Sequence, residues 1–130
     1  MSGRALVFDT RYFLHLFYTK DQIRLRALRE LAENTQPKWV SAITLMEVYK
    51  VTSELEGREE AERRSSLIQQ DFRVRAVDAE VATAASALQA MAGLSEAEAI
   101  VAATALVLRG TCVTDDPHLR GLDALQTKWV

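Results

Sequence analysis

Two short runs, almost free of polar side chains, end abruptly on aspartate: Ala5-Leu6-Val7-Phe8 stops at Asp9, and Thr111-Cys112-Val113-Thr114 stops at Asp115-Asp116. A continuous apolar run of this length is the pattern of a strand buried on both faces, and such strands need helices above and below them. The intervening sequence supplies these. Leu25, Leu28, Leu31 and Ala32 recur at helical spacing across residues 21–33, with Arg24, Arg29, Glu30 and Glu33 left for the other side. Pro37 separates that helix from a second strand, Trp39-Val40-Ser41, and a further helix is predicted from about Thr44 to Leu55, ending near Gly57. Phe72, Val74 and Ala76 alternate with Arg73 and Arg75, which predicts a strand with one wet face towards the edge of the sheet. Asp78 and Ser95 are placed to cap helices running to about Met91 and Arg109; Asp116-Pro117 reads as a cap with a first-turn proline, and 125–130 as a last strand. Strands alternating with helices predict an α/β fold: a single three-layer domain over residues 1–130, with a central parallel sheet flanked by helices.

Composition narrows the function classes. A chain of 130 residues, 48% of them hydrophobic, suits one compact core. Sixteen Lys and Arg against eighteen Asp and Glu leave a formal charge of −2, so no overall basic field advertises nucleic acid, and any such contact must be local. The lone Cys112 excludes an intrachain disulfide and fits a reducing compartment. Only four apolar residues precede Asp9, too few for a signal peptide, and no apolar stretch of spanning length runs without polar breaks. The expectation is a soluble cytoplasmic protein without a membrane partner.

In open parallel sheets, ligands bind beyond the carboxyl ends of the strands. Asp9, Glu47, Glu98 and Asp115-Asp116 all map to that edge, Glu98 because its helix must run antiparallel to the strand it feeds. Carboxylates crowded together repel, and a cation resolves the conflict. Oxygen ligands suit Mg²⁺ or Mn²⁺, and with no His or Cys pair at ligand spacing zinc fits poorly. Such an ion can activate water and stabilise charge building on a phosphate, as phosphodiester hydrolysis requires. Helix capping is the competing account of the same residues. Ser95 to Glu98 and Thr44 to Glu47 both match the S/T-x-x-E capping box, and Asp9 and Asp116 are good N-caps. Pattern alone leaves both accounts open.

Three segments in order, "LVFDTRYFL" (6–14), "SAITLMEVYKV" (41–51) and "LSEAEAIVAATALVLRGTCVTDDPHL" (94–119), resemble the PIN domain, and in particular the VapC-type toxins of toxin-antitoxin pairs. The resemblance spans nearly the whole chain. It implies a PIN-like nuclease domain, a metal-dependent endoribonuclease hydrolysing RNA phosphodiester bonds with Mg²⁺ or Mn²⁺, partnered by a cognate antitoxin protein and forming a homodimer. By segment, it places Asp9, Glu47, Glu98 and Asp116 as the catalytic, metal-binding acids. One position departs from the family pattern: Glu98 stands where such proteins usually have aspartate, so its carboxylate, one methylene longer, binds metal directly, reaches it through water, or is diverted into capping with Ser95. Glu96, about 200° around the helix from Glu98, is not expected in the same site.

Around these acids, Thr10 and Thr114 are candidates to orient a carboxylate or water, with backbone capping as the alternative, and Asp115, which an extended backbone would turn away from Asp116, is a candidate outer ligand or simply an exposed neighbour. Arg11 and Lys50 are candidate RNA phosphate contacts, with surface ion pairing as the alternative. Arg58, Arg63 and Arg64, interleaved with Glu59, Glu60 and Glu62, read as a solvated helical face. His15 is expected in packing or at an interface, and His118 beside the acids; neither has a partner visible in the sequence. Tyr12, Phe13, Phe17 and Tyr18 are read as core by default, with a dimer or antitoxin surface as the alternative. Two other functions stand as alternatives. A catalytically weak or inactive PIN-like binding module is favoured by Glu98, whereas a phosphoacceptor receiver domain is disfavoured because Thr10, not a second acid, follows Asp9 and the only late lysine is Lys128.

Overall fold

The computed structural model describes residues 4–130. Its five strands, β1 (Leu6–Phe8), β2 (Lys38–Ser41), β3 (Arg73–Arg75), β4 (Thr111–Val113) and β5 (Thr127–Lys128), form one sheet in the order β3-β2-β1-β4-β5, with every neighbouring pair parallel. Seven helices connect and cover them: α1 (Thr10–Tyr18), α2 (Gln22–Ala32), α3 (Ala42–Glu56), α4 (Arg58–Asp71), α5 (Ala79–Ala92), α6 (Glu96–Val107) and α7 (Pro117–Arg120). No single helix among the described residues is long and apolar enough to cross a membrane.

Strand alternation divides the interior into two layers. Leu6, Phe8 and Val113 point into a cluster with Tyr12, Phe13, Leu28, Val48 and Ile68 of α1–α4. Val7 and Cys112, one residue out of phase, point into the opposite cluster with Val81, Leu88, Val101 and Ala103 of α5 and α6. Central strands therefore have to be apolar on both sides, and β1 is buried throughout. The α6 helix carries buried alanines at 99, 102, 103 and 105, small enough for α5 on one side and the sheet on the other to pack closely.

The edge position expected for the alternating segment is where β3 lies. The final strand is shorter than the predicted 125–130. It pairs only through Cys112↔Thr127 and Val113↔Lys128, because β4 itself offers three residues to pair with, while Leu125 is drawn into the core. Tyr12 and Phe13 belong to the core and not to a surface, and Tyr12 donates to the Leu28 carbonyl at 2.6 Å. Phe17 and Tyr18 are partly buried against Arg64, whose guanidinium lies 4.4 Å from the Phe17 ring centroid, bonds the Tyr18 hydroxyl at 2.8 Å and pairs with Glu56 at 2.6 Å. Arg58 and Arg63 pair with Glu62 and Glu60 along α4, as a solvated face would.

Among the described residues one buried side-chain group is unsatisfied. The Thr52 hydroxyl on α3 is fully enclosed and has no hydrogen-bond partner among the described residues. An enclosed hydroxyl without a partner forfeits its hydration, so an isosteric apolar side chain should do better there. Thr52→Val is expected to raise unfolding free energy by about 1 kcal/mol, read as a higher urea midpoint at unchanged slope.

Candidate active site

The edge formed by the carboxyl ends of β1, β2 and β4 opens into a cleft of about 360 Å³, and Asp9, Glu47, Glu98 and Asp116 all line it. Each arrives by a different route. Asp9 follows β1 directly, its backbone amide bonded to the Val113 carbonyl of the neighbouring strand at 3.1 Å. Glu47 projects from α3, which starts where β2 ends. Glu98 sits in the first turn of α6, and Asp116 stands just beyond β4.

The structure separates capping from the other work of these acids. Asp9 occupies the N-cap position of α1 without making a side-chain cap bond. Its Oδ2 accepts instead from the Thr114 hydroxyl at 2.7 Å, and the same hydroxyl accepts from the Asp116 amide at 2.9 Å. Glu47 is no cap either, because the N-cap of α3 is Ser41, three residues earlier than the S/T-x-x-E pattern suggests. Its Oε1 accepts from the Thr10 hydroxyl at 2.6 Å, and Thr44, the residue that mimics a cap, is buried 3.3 Å from that same hydroxyl. Glu98 does complete a capping box, taking the Ser95 amide on Oε1 at 2.9 Å while the Ser95 hydroxyl takes the Glu98 amide. Asp116 caps α7 through Oδ1 to the His118 amide at 2.9 Å. Capping thus accounts for Glu98 and Asp116 and leaves Asp9 and Glu47 unexplained. Glu96 faces the groove between α5 and α6, away from this cleft.

Crowding shows in the titration of these groups. Burial pushes Asp9 up to about 6, reinforced by the nearby charges of Asp116 and Glu47 and only partly offset by Thr114. Burial and its hydrogen bond with Glu98 also push Asp116 up. Burial acts in the same sense on Glu98, but hydrogen bonds with Asp116, the Ser95 backbone and His118 outweigh it and bring Glu98 down to about 2. Asp9, Glu47, Glu98 and Asp116 offer the cleft carboxylate oxygens only, a donor set that fits a hard divalent cation.

The flanking residues sort by partner. Asp115 turns away from Asp116 and grips Arg11 Nε at 2.6 Å and His15 Nε2 at 2.9 Å, tying α1 to the segment after β4. Arg11 keeps about half of its side chain exposed, lines the cleft and leaves its terminal nitrogens outside this bond. Lys50 is exposed on α3 one turn beyond Glu47. His118 Nδ1 lies 2.8 Å from Glu98 Oε2, and one ligand atom from each of Glu98, Asp116 and His118 falls within 4.8 Å of the others. Sequence spacing gave no hint of the Asp115 contacts, made across about a hundred residues, or of the pairing of His118 with Glu98.

Asp9 carries a second consequence. Its folded value lies above its unfolded value of 3.8, so ionising it opposes folding: without a cation, this contribution is absent below pH 4, grows as pH rises through about 6, and reaches about 3 kcal/mol. In EDTA at pH 7.5, Asp9→Asn is therefore expected to be more stable than the parent by up to about 3 kcal/mol, a gap that closes near pH 4 in urea titrations.

Comparison with known proteins bears on the fold. No curated protein sequence matches the chain. Among solved structures it is similar to a toxin-antitoxin complex from Klebsiella pneumoniae at 24% identity, covering 92% of this chain and 94% of that one, with a TM-score of 0.74. It is also similar to VapBC2 from Rickettsia felis bound to a promoter DNA fragment, at 14% identity, 97% and 98% coverage and a TM-score of 0.79. A third likeness is to VapC20 of Mycobacterium tuberculosis, a Sarcin-Ricin loop cleaving toxin, at 18% identity, 93% and 98% coverage and a TM-score of 0.73. At these identities the likeness speaks for the fold. The sequence profile of the PIN domain matches residues 6–125, and with a parallel five-stranded sheet whose central strands carry acids into one cleft, the chain belongs to the PIN domain family.

Proposed function

We propose that this protein is a divalent-metal-dependent endoribonuclease, the toxin of a VapBC-type toxin-antitoxin pair. The observation that carries the reading is the convergence of Asp9 and Glu47, two acids with no capping role, on the cleft that also holds Glu98 and Asp116. A carboxylate as enclosed as Asp9 is an expense to the fold unless a cation sits beside it.

In this reading Asp9, Glu47, Glu98 and Asp116 hold Mg²⁺ or Mn²⁺. The ion supplies the charge that activates water and offsets the negative charge building on the scissile phosphate. Thr114 holds the Asp9 carboxylate and Thr10 holds that of Glu47, each through one short hydroxyl bond, so the oxygens left over face the cleft. Asp115, backed by His15, fixes Arg11 at the cleft wall, where its terminal nitrogens meet an RNA phosphate; Lys50 offers a second cation. The proposed partners are RNA as substrate, a cognate antitoxin protein and a second copy of the chain, in the cytoplasm. The solved neighbours from Klebsiella and Rickettsia support the antitoxin, and the Mycobacterium toxin supports RNA.

A second reading, a PIN domain that binds without cleaving, is favoured by Glu98, whose two carboxylate oxygens are both engaged, by Ser95 and by His118. Cleavage of a mixed pool of labelled RNA oligonucleotides with Mg²⁺, Mn²⁺ or EDTA decides between them. Metal-dependent cleavage that falls roughly a hundredfold or more in Asp9→Asn, and is kept or raised in Glu98→Asp, is the expected result. A folded, antitoxin-free protein that cleaves with neither metal would establish the binding module instead.

A further inference from the structure

The contact between His118 and Glu98 joins two helices that the site needs in register, and neither residue's local role explains it. Glu98 is bound to its own helix through Oε1, which closes the capping box. A capping-box glutamate needs only one oxygen for that purpose, so its other oxygen is ordinarily free to turn with the side chain. Here Oε2 is held by Nδ1 of His118, twenty residues further along the chain and on α7. The same Nδ1 stands 3.8 Å from Asp116 Oδ1, so the imidazole lies beside both members of the Glu98–Asp116 pair.

The ring is exposed but its base is anchored. The His118 amide is bonded to Asp116 Oδ1, and Pro117 immediately before it restricts the backbone at the start of α7. The donor therefore comes from a part of the chain that already carries Asp116. A neutral imidazole with its proton on Nδ1 and an imidazolium both donate from that atom, so the contact does not require a particular charge state.

We infer that His118 is a positioning residue of the acidic cleft: its Nδ1–H holds the Glu98 carboxylate beside Asp116, so that a side chain tied up in capping still contributes an oxygen to the cation site. The inference rests on the reading of the cleft as a divalent-cation site and extends it to a residue outside the acidic set. Removing the imidazole leaves the capping box intact and takes from Oε2 the donor on α7 that fixes its position. The cation site then loses a placed oxygen without losing an acid.

The test is Mn²⁺ binding to the full chain by titration calorimetry, a readout independent of RNA cleavage. His118→Ala is expected to weaken Mn²⁺ binding about tenfold, the usual cost of removing a residue that orients a ligand. His118→Asn, whose side-chain N–H₂ lies near the position of Nδ1, is expected to recover most of the loss. In a Glu98→Asp background the shorter arm no longer reaches His118, so adding His118→Ala should change nothing further. Unaltered Mn²⁺ affinity in His118→Ala, with the parent binding normally, would overturn the inference and leave the cation site standing. An equal loss from His118→Ala in both backgrounds, unrescued by asparagine, would overturn it in favour of the imidazole as a ligand itself. A parent protein that binds no Mn²⁺ would remove the cation-site reading, and this inference with it.

Discussion

Phe8 and Val113 face each other in register at the centre of the sheet, and the site depends on that pairing. Because β1 and β4 are parallel and stop at the same level, the residues that follow them leave the sheet side by side. Asp9 is consequently bonded through its amide to Val113 and through its carboxylate to Thr114, and Thr114 in turn positions the Asp116 amide. A slip of one residue between these strands would turn Phe8 and Val113 towards opposite layers of the core. The apolar character of both strands on both faces forbids the slip less than their different partners do: Phe8 packs against Tyr12, Phe13 and Phe72, whereas Val7 needs the small residues of α6.

Gathering four carboxylates at one edge is tolerable partly because helices begin there. The α1, α6 and α7 helices all point their N-termini at the cleft, and the unpaired amides of a first turn favour negative charge. Glu98 and Asp116 draw on those amides directly, by capping. The same side chains therefore cap helices and line the cleft. Asp9 and Glu47 cap no helix and lean chiefly on threonine hydroxyls, which hold a carboxylate in place without neutralising it. That difference explains why burial dominates at Asp9 while hydrogen bonding prevails at Glu98.

Basic residues follow a similar division. Arg64, nearly buried, spends its charge on Glu56, Glu60 and the Phe17 and Tyr18 rings, and Arg75 spends its own on Asp78 and Glu80. These pairs fasten α1, α3 and α4 together, and β3 to the start of α5. Arg11 differs because its partner Asp115 takes only Nε and leaves the rest of the guanidinium beside the acids. A net charge of −2 does not conflict with a local contact to a polyanion when one cation is oriented at the cleft in this way.

By itself the sequence determined the layered parallel sheet, the edge position of β3, the caps at Asp78 and Ser95 and the acids that end β1 and β4, because each is written in a local period or in a single residue type at a boundary. It also carried the family, through three ordered segments and the register they impose on Asp9, Glu47, Glu98 and Asp116. Local pattern misled at Thr44 and Glu47, where a capping signature falls inside a helix whose true cap is Ser41. Only the tertiary structure decided which acids cap and which face the cleft unaided, that Asp115 serves Arg11 and His15, and that His118 reaches Glu98. The contacts of Asp9, Glu47, Asp115 and His118 turn on single oxygen atoms held by partners from 20 to 105 residues away, and no local spacing encodes a contact that exists only once the strands have paired.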